Sequence, residues 1–175
     1  MDYETKPTSR ETLRRLAPYF RKLFDAEGEG QFPVLDALER VGDVFKGTYY
    51  EVVHDNMLEP TVMAQCTPNE DRGFTIEIKE SVYQGAYNGD GACRGFICHE
   101  MCHIFLFAIG FTPIYTRGFA NNIIPPYKSV EWQAKALCGE IMIPYEESKG
   151  MSEKELIKKY VVSQSFARKR REHEK

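Results

Sequence analysis

The stretch that most restricts what this chain can fold into is residues 92–110, ACRGFICHEMCHIFLFAIG. Phe96, Ile97, Cys98, Met101, Cys102, Ile104, Phe105, Leu106, Phe107, Ala108 and Ile109 make a helix here apolar around nearly its whole circumference, which predicts a buried central helix. Such a helix has no structural use for charge, yet His99, Glu100 and His103 lie in its middle. At roughly 100° per residue these three side chains fall within an arc of about 100°, with the two imidazoles one turn apart on the same face. Two neutral imidazoles at i and i+4 bind one Zn²⁺, and the Glu between them reaches a water beside the metal. With 4 His and 26 Asp+Glu in 175 residues, only about 0.01 matches to this pattern are expected by chance. A carboxylate left in an apolar helix without a strong partner also costs several kcal/mol. The pattern therefore reads as a site, with His99 and His103 as metal ligands and Glu100 as the catalytic group.

A catalytic zinc takes three protein ligands and keeps one position for water, so a third donor is required. Glu131 stands in the first turn of the next apolar helix, with Ala134 and Cys138 on its own side, and small side chains there let two helices approach closely. Glu140, nine positions on, is rotated about half a turn and cannot face the same ion. Glu131 is the expected third ligand. Cys98 and Cys102 lie on a face rotated about 100° from the histidines and are expected to pack as small apolar side chains. His54 and His173 receive no role.

The rest of the chain reads as scaffold. Its 175 residues and 20.2 kDa suit one core, read as a domain over 1–144 followed by a helical appendage over 145–175. A net charge of −3 and a pI near 5.9 provide no global basic field, so nucleic-acid binding is not the default. MDYETKPTSR lacks a leader's apolar region and the longest apolar run, 104–109, is too short to span a bilayer, so a cytoplasmic location is expected. Five cysteines with no C-x-x-C pair fit reduced thiols better than a disulfide framework.

Thr8 with Glu11 predicts a capping box for a first helix whose apolar stripe is Leu13, Leu16, Phe20, Leu23 and Phe24. Pro33 opens a second helix that Gly42 ends. Three β-rich runs, 48–54, 61–66 and 73–79, predict a small, mainly antiparallel sheet. In the third, Phe74, Ile76 and Ile78 face inward and Thr75, Glu77 and Lys79 face water; an edge position would let its backbone hold an extended peptide. A short helix over 80–87 ends in the turn 88–91. The long connection after Gly110 borders a cleft and carries Tyr115, Arg117 and Tyr127 as candidate donors to a developing oxyanion. Ser129 caps a helix over 130–142 that Pro144 stops, Ser152 with Glu155 boxes another, and Ser163 caps the last.

The run Glu131-Trp132-Gln133-Ala134-Lys135-Ala136-Leu137-Cys138-Gly139-Glu140-Ile141-Met142-Ile143-Pro144 resembles the E-x-x-A-x-x-F-A-x-x-L-L-M-P signature that follows H-E-x-x-H in the ImmA/IrrE metallopeptidase family. The resemblance covers about residues 33–144, including Ser81-Val82-Tyr83 and Arg94-Gly95-Phe96, and fades at both ends. It implies an α+β, zincin-like fold in which the sheet packs on the buried H-E-x-x-H helix and further helices flank it at both ends. It also implies a cytoplasmic zinc peptidase of gluzincin type, often carried on prophages, that cleaves a partner repressor. Carried over by position, it makes His99, His103 and Glu131 the ligands and Glu100 the base. The chain departs from the family pattern at Cys98, Met101, Cys102 and Phe107, none of which removes a ligand. The competing reading is a zinc-stabilised or inactive regulatory protein that binds a protein partner or DNA. It rests on the basic run Arg168-Lys169-Arg170-Arg171 at the C-terminal end.

Overall fold

In a computed structural model describing residues 2–28, 30–114 and 124–174, the elements run α1 (Arg10–Leu23), α2 (Val34–Glu39), α3 (Val41–Val44), β1 (Tyr49–Val53), β2 (Ala64–Pro68), β3 (Phe74–Lys79), α4 (Glu80–Tyr87), α5 (Gly91–Ala108), α6 (Val130–Met142), α7 (Tyr145–Ser148), α8 (Glu153–Tyr160) and α9 (Gln164–Glu172). The fold is α+β. None of the described helices is long and apolar enough to cross a membrane.

α5 is the element on which the others are laid, touching α2, α4, α6, β2 and β3. The Asp90 carboxylate caps it by accepting from the Ala92 and Cys93 amides at 2.8 and 2.9 Å. Ile97, Cys98, Met101, Cys102, Ile104, Phe105 and Leu106 are buried, while Phe96 and Phe107 stay 41% and 45% exposed, so one strip of the helix faces outward. α1 packs across α6 and delivers Phe20, whose ring meets Phe105 edge-on at 5.4 Å and Phe24 and Phe32 at 5.2 and 5.6 Å. Burying a ring of this size stabilises by about 2–3 kcal/mol. The N-cap of α1 is Ser9, not Thr8: the Thr8 amide donates to the Tyr127 carbonyl, and the Ser9 hydroxyl accepts from the Thr12 amide instead. Leu23 of the expected stripe is exposed and Ala17 takes a place in the core. Gly42 lies inside α3 and does not end a helix; the break comes at Arg40.

The sheet is mixed, not mainly antiparallel. Its order is β1-β3-β2, with β1 parallel and β2 antiparallel to β3. The reason lies in the turn after β2, where the Asn69 side chain accepts from the Asp71 and Gly73 amides and Arg72 adopts a left-handed φ of 61°. That turn makes a hairpin of β2 and β3 and leaves the other side of β3 to β1, which pairs there in parallel. Gly73 is held against Gly47, also left-handed at φ 77°, and a Cβ on Gly73 would collide with the Gly47 backbone. β3 is consequently central and β2 the edge beside α5. Ile76 and Ile78 are fully buried as the alternation predicts, but Lys79 is buried too, its ammonium donating to the Glu59 and Pro60 carbonyls at 2.9 and 3.2 Å.

Ser129 caps α6, Ser152 and Glu155 form a reciprocal capping box on α8, and Ser163 caps α9. The short α7 has no counterpart in the sequence reading. Leu156, Tyr160, Val162 and Ala167 join the same buried cluster as α1, α5 and α6. α9 lies so close to α5 that a Cβ on Gly95 would sit 2.7 Å from the Phe166 ring. Arg170, the centre of the basic run, turns inward: its guanidinium donates to Glu140 at 2.9 Å and to the Ile143 carbonyl at 2.6 Å. Glu140, only 1% exposed, also accepts from Arg14 at 3.1 Å and Arg10 at 3.5 Å. A carboxylate facing three guanidiniums on the far side of α6 is what joins α1, α6 and α9. In Glu140→Gln, urea unfolding is expected to show a loss of about 3 kcal/mol, because Arg170 is left buried without a counter-charge. Arg170→Ala is expected to cost less in that background than alone.

Candidate metal centre

The i, i+4 spacing on a regular helix puts His99 and His103 side by side, their rings 4.6 Å apart and steeply inclined at 84°. Their Nε2 atoms converge to 3.0 Å. Glu131 meets them from α6, with Oε2 3.3 Å from His99 Nε2 and Oε1 3.4 Å from His103 Nε2. A tetrahedral ion with ligand bonds of about 2.0–2.1 Å holds its donors roughly 3.3 Å apart, so the three side chains already stand at the required spacing. Glu131 is 36% exposed, leaving the outer side of the triad open to water or substrate.

Two features place Glu131. Ala134 and Cys138 are buried between α5 and α6, and the Cys138 thiol donates to the Gly95 carbonyl at 3.6 Å, so the helices approach across small groups. The chain's beginning braces the start of α6: Asp2 accepts from the Ser129 hydroxyl at 2.7 Å and the Glu131 amide at 3.2 Å, where its charge also suits the helix N-terminus. Residues 3–8 continue this brace, linking Tyr3 to Val130, Glu4 to Ile114, Thr5 to Lys128 and Thr8 to Tyr127 through the backbone. They thereby hold both ends of the connection between α5 and α6. Sequence reading missed this strap because its pairing is between isolated residues, with no alternation to announce a strand.

Hydrogen bonds from His103 and then His99 hold the Glu131 carboxyl well below the usual range, against the opposing effect of burial. Glu100 behaves oppositely. It is 9% exposed, and burial raises its pKa despite the nearby imidazoles and the Cys66 thiol that hydrogen-bonds it. Burial likewise pushes the Cys66 thiol up, and the Glu100 charge adds to the effect. A carboxyl raised in this way holds a proton more readily than one in water, which suits it to proton transfer. Cys66, on β2, escaped sequence reading: one sulfur in a strand carries no local signal that a helix glutamate lies against it.

The arrangement thus brings His99, His103 and Glu131 to one point with Glu100 beside it, and turns Glu140 away into its arginine cluster. Tyr127 lies half exposed in the turn Pro126–Lys128, its hydroxyl bonded to none of the described residues, while Tyr115 and Arg117 fall outside them. A scan against protein-family models finds no match to this chain, and a search of curated proteins finds none either.

Titration with zinc, the tetrahedral ion such a donor set suits, is expected to load one ion per chain. At about a thousand times its Kd the ion is expected to stabilise the fold by about 4 kcal/mol in denaturant melts. His103→Ala is expected to abolish that gain.

Proposed function

We propose that this protein is a zinc-dependent metallopeptidase of gluzincin type that cleaves a protein partner, its architecture being a zincin-like one. The observation that carries the proposal is the convergence of two Nε2 atoms of α5 and the Glu131 carboxylate of α6 at 3.0–3.4 Å, with a buried, proton-accepting Glu100 next to them. His99, His103 and Glu131 would hold the ion, which when bound supplies a Lewis acid that acidifies water and polarises a peptide carbonyl.

The remaining steps belong to the chain's own residues. Glu100 takes a proton from the attacking water at a carboxylate oxygen and returns it to the departing amine, so the same side chain serves first as base and then as acid. The Cys66 thiol lies beside that carboxylate and favours its ionised form. β2 offers its outer edge beside α5, and among the described residues no strand pairs with it there, so an extended substrate can add to it through backbone hydrogen bonds. That role falls to β2 and not to the central β3.

The nature of the partner, a transcriptional repressor in a mobile-element setting, rests on the resemblance to the ImmA/IrrE family. A zinc-stabilised regulatory binder would share the ligands and differ in needing nothing of Glu100, so Glu100 separates the two readings. Zinc-loaded parent protein is expected to cut a repressor encoded beside it, and Glu100→Gln to keep its zinc while losing at least about 100-fold in rate. Cleavage products resolved by mass spectrometry check this. Loaded parent protein that cuts no neighbouring repressor, or a Glu100→Gln variant as fast as the parent, overturns the mechanism.

A further inference from the structure

The α5–α6 pair presents a second triad, one position back from the first. Cys98 and Cys102 precede His99 and His103, and Cys138 stands two turns beyond Glu131; the three sulfurs all lie within 4.8 Å of one another. All three residues are buried, at 0%, 0% and 1% exposure. We propose that Cys98, Cys102 and Cys138 form a second metal site, a trigonal thiolate site for a soft monovalent ion of the cuprous class.

Three observations select that chemistry. First, an ion bonded to three sulfurs at about 2.3 Å in a plane holds them about 4 Å apart, inside the 4.8 Å within which the three sulfurs lie. Second, among the described residues no fourth ligand joins the group. Structural zinc takes four ligands, whereas thiolates favour Cu(I), for which three suffice. Third, two buried guanidiniums, those of Arg94 and Arg21, make no ion pair among the described residues. Arg94, 8% exposed, donates through Nη2 to the Phe32 carbonyl at 2.6 Å, makes no ion pair among the described residues, and has a buried Nε with no partner. Arg21, 5% exposed, donates among the described residues to the carbonyls of Ala26, Gly28, Gly30 and Ile141. Burial draws both guanidiniums below their ordinary pKa; Glu147 opposes this for Arg21, and a thiolate at Cys98 would oppose it for both. Buried cations without ion-pair partners are costly. Three thiolates around a monovalent ion carry a net charge of −2, which two guanidiniums offset.

Ligation replaces three S–H bonds with three S–metal bonds and releases three protons to solvent; the ion arrives already reduced, so no electron is transferred. The site does not depend on the peptidase reading, since it shares no ligand with the histidine–glutamate triad.

The test is to incubate the reduced full-length chain with cuprous ion buffered by a colourimetric chelator, then measure copper per chain and the X-ray absorption of the loaded protein. One copper per chain with three sulfur neighbours and no nitrogen is expected. Cys138→Ala is expected to weaken retention by about 100-fold or more, and His103→Ala to leave it unchanged. No copper held against the chelator, a nitrogen shell, or retention that survives Cys138→Ala but fails in His103→Ala overturns the proposal. Should Cys138→Ala unfold by circular dichroism, the sulfur count of the parent protein and the His103→Ala comparison decide.

Discussion

The close approach of α5 and α6 is the constraint on which everything else in this molecule depends. Helix axes that bring a first-turn carboxylate against imidazoles on a neighbour need small groups at the crossing, and Gly95, Ala134 and Cys138 supply them. The cost of that approach is that nothing large fills the seam, so the helices must be held together from outside it. α1 does this on one flank by packing along α6, and the sheet supports α5 on another. Glu140 then converts the back of α6 into an electrostatic anchor for α1 and α9, which keeps α6 from rolling and carrying Glu131 off the histidines. A rotation of a few tens of degrees would separate donors that now stand 3.3–3.4 Å apart.

The two ends of the chain contribute to the same restraint in different ways. Asp2 and residues 3–8 fix the position of the first turn of α6 by hydrogen bonds to groups that a helix start leaves unsatisfied. α9 acts through shape and charge, with Phe166 against Gly95 and Arg170 on Glu140. One end sets where α6 begins and the other sets which way it faces, so the glutamate's position is determined twice.

Legibility in the sequence followed the range of the interaction. The juxtaposition of His99 and His103 and the caps at Ser129, Ser152 and Ser163 are fixed by neighbours three or four residues away, and a reader of the chain finds them. Glu131 was legible because helix phase excluded Glu140 from the same face. The sheet was misread because no local pattern records on which side of β3, or in which sense, the first strand pairs, and the run 73–79 looks the same whether central or at an edge. Lys79 followed its environment and not its alternation: two carbonyls in the 59–60 turn satisfy a buried ammonium that periodicity alone sends to solvent. The Arg170–Glu140 contact spans 30 residues and the Asp2–Ser129 contact of the strap 127. No local pattern records pairings that distant.

The placement of donors around α5 follows from what each costs to bury. Imidazole and carboxylate groups need hydrogen-bonding partners when taken from water, and they occupy the rim where His99, His103 and Glu131 keep partial exposure. Thiols are nearly apolar until an ion takes their protons, so Cys98, Cys102 and Cys138 can lie in the fully buried seam at little cost. A rotation of about 100° around α5 separates its nitrogen donors from its sulfur donors, while on α6 Glu131 and Cys138 share one side and are parted by two turns along the axis. Under the two proposals that separation gives a borderline ion the donors at the rim and a soft ion the sulfurs in the seam, because donor softness governs which ion each group would hold.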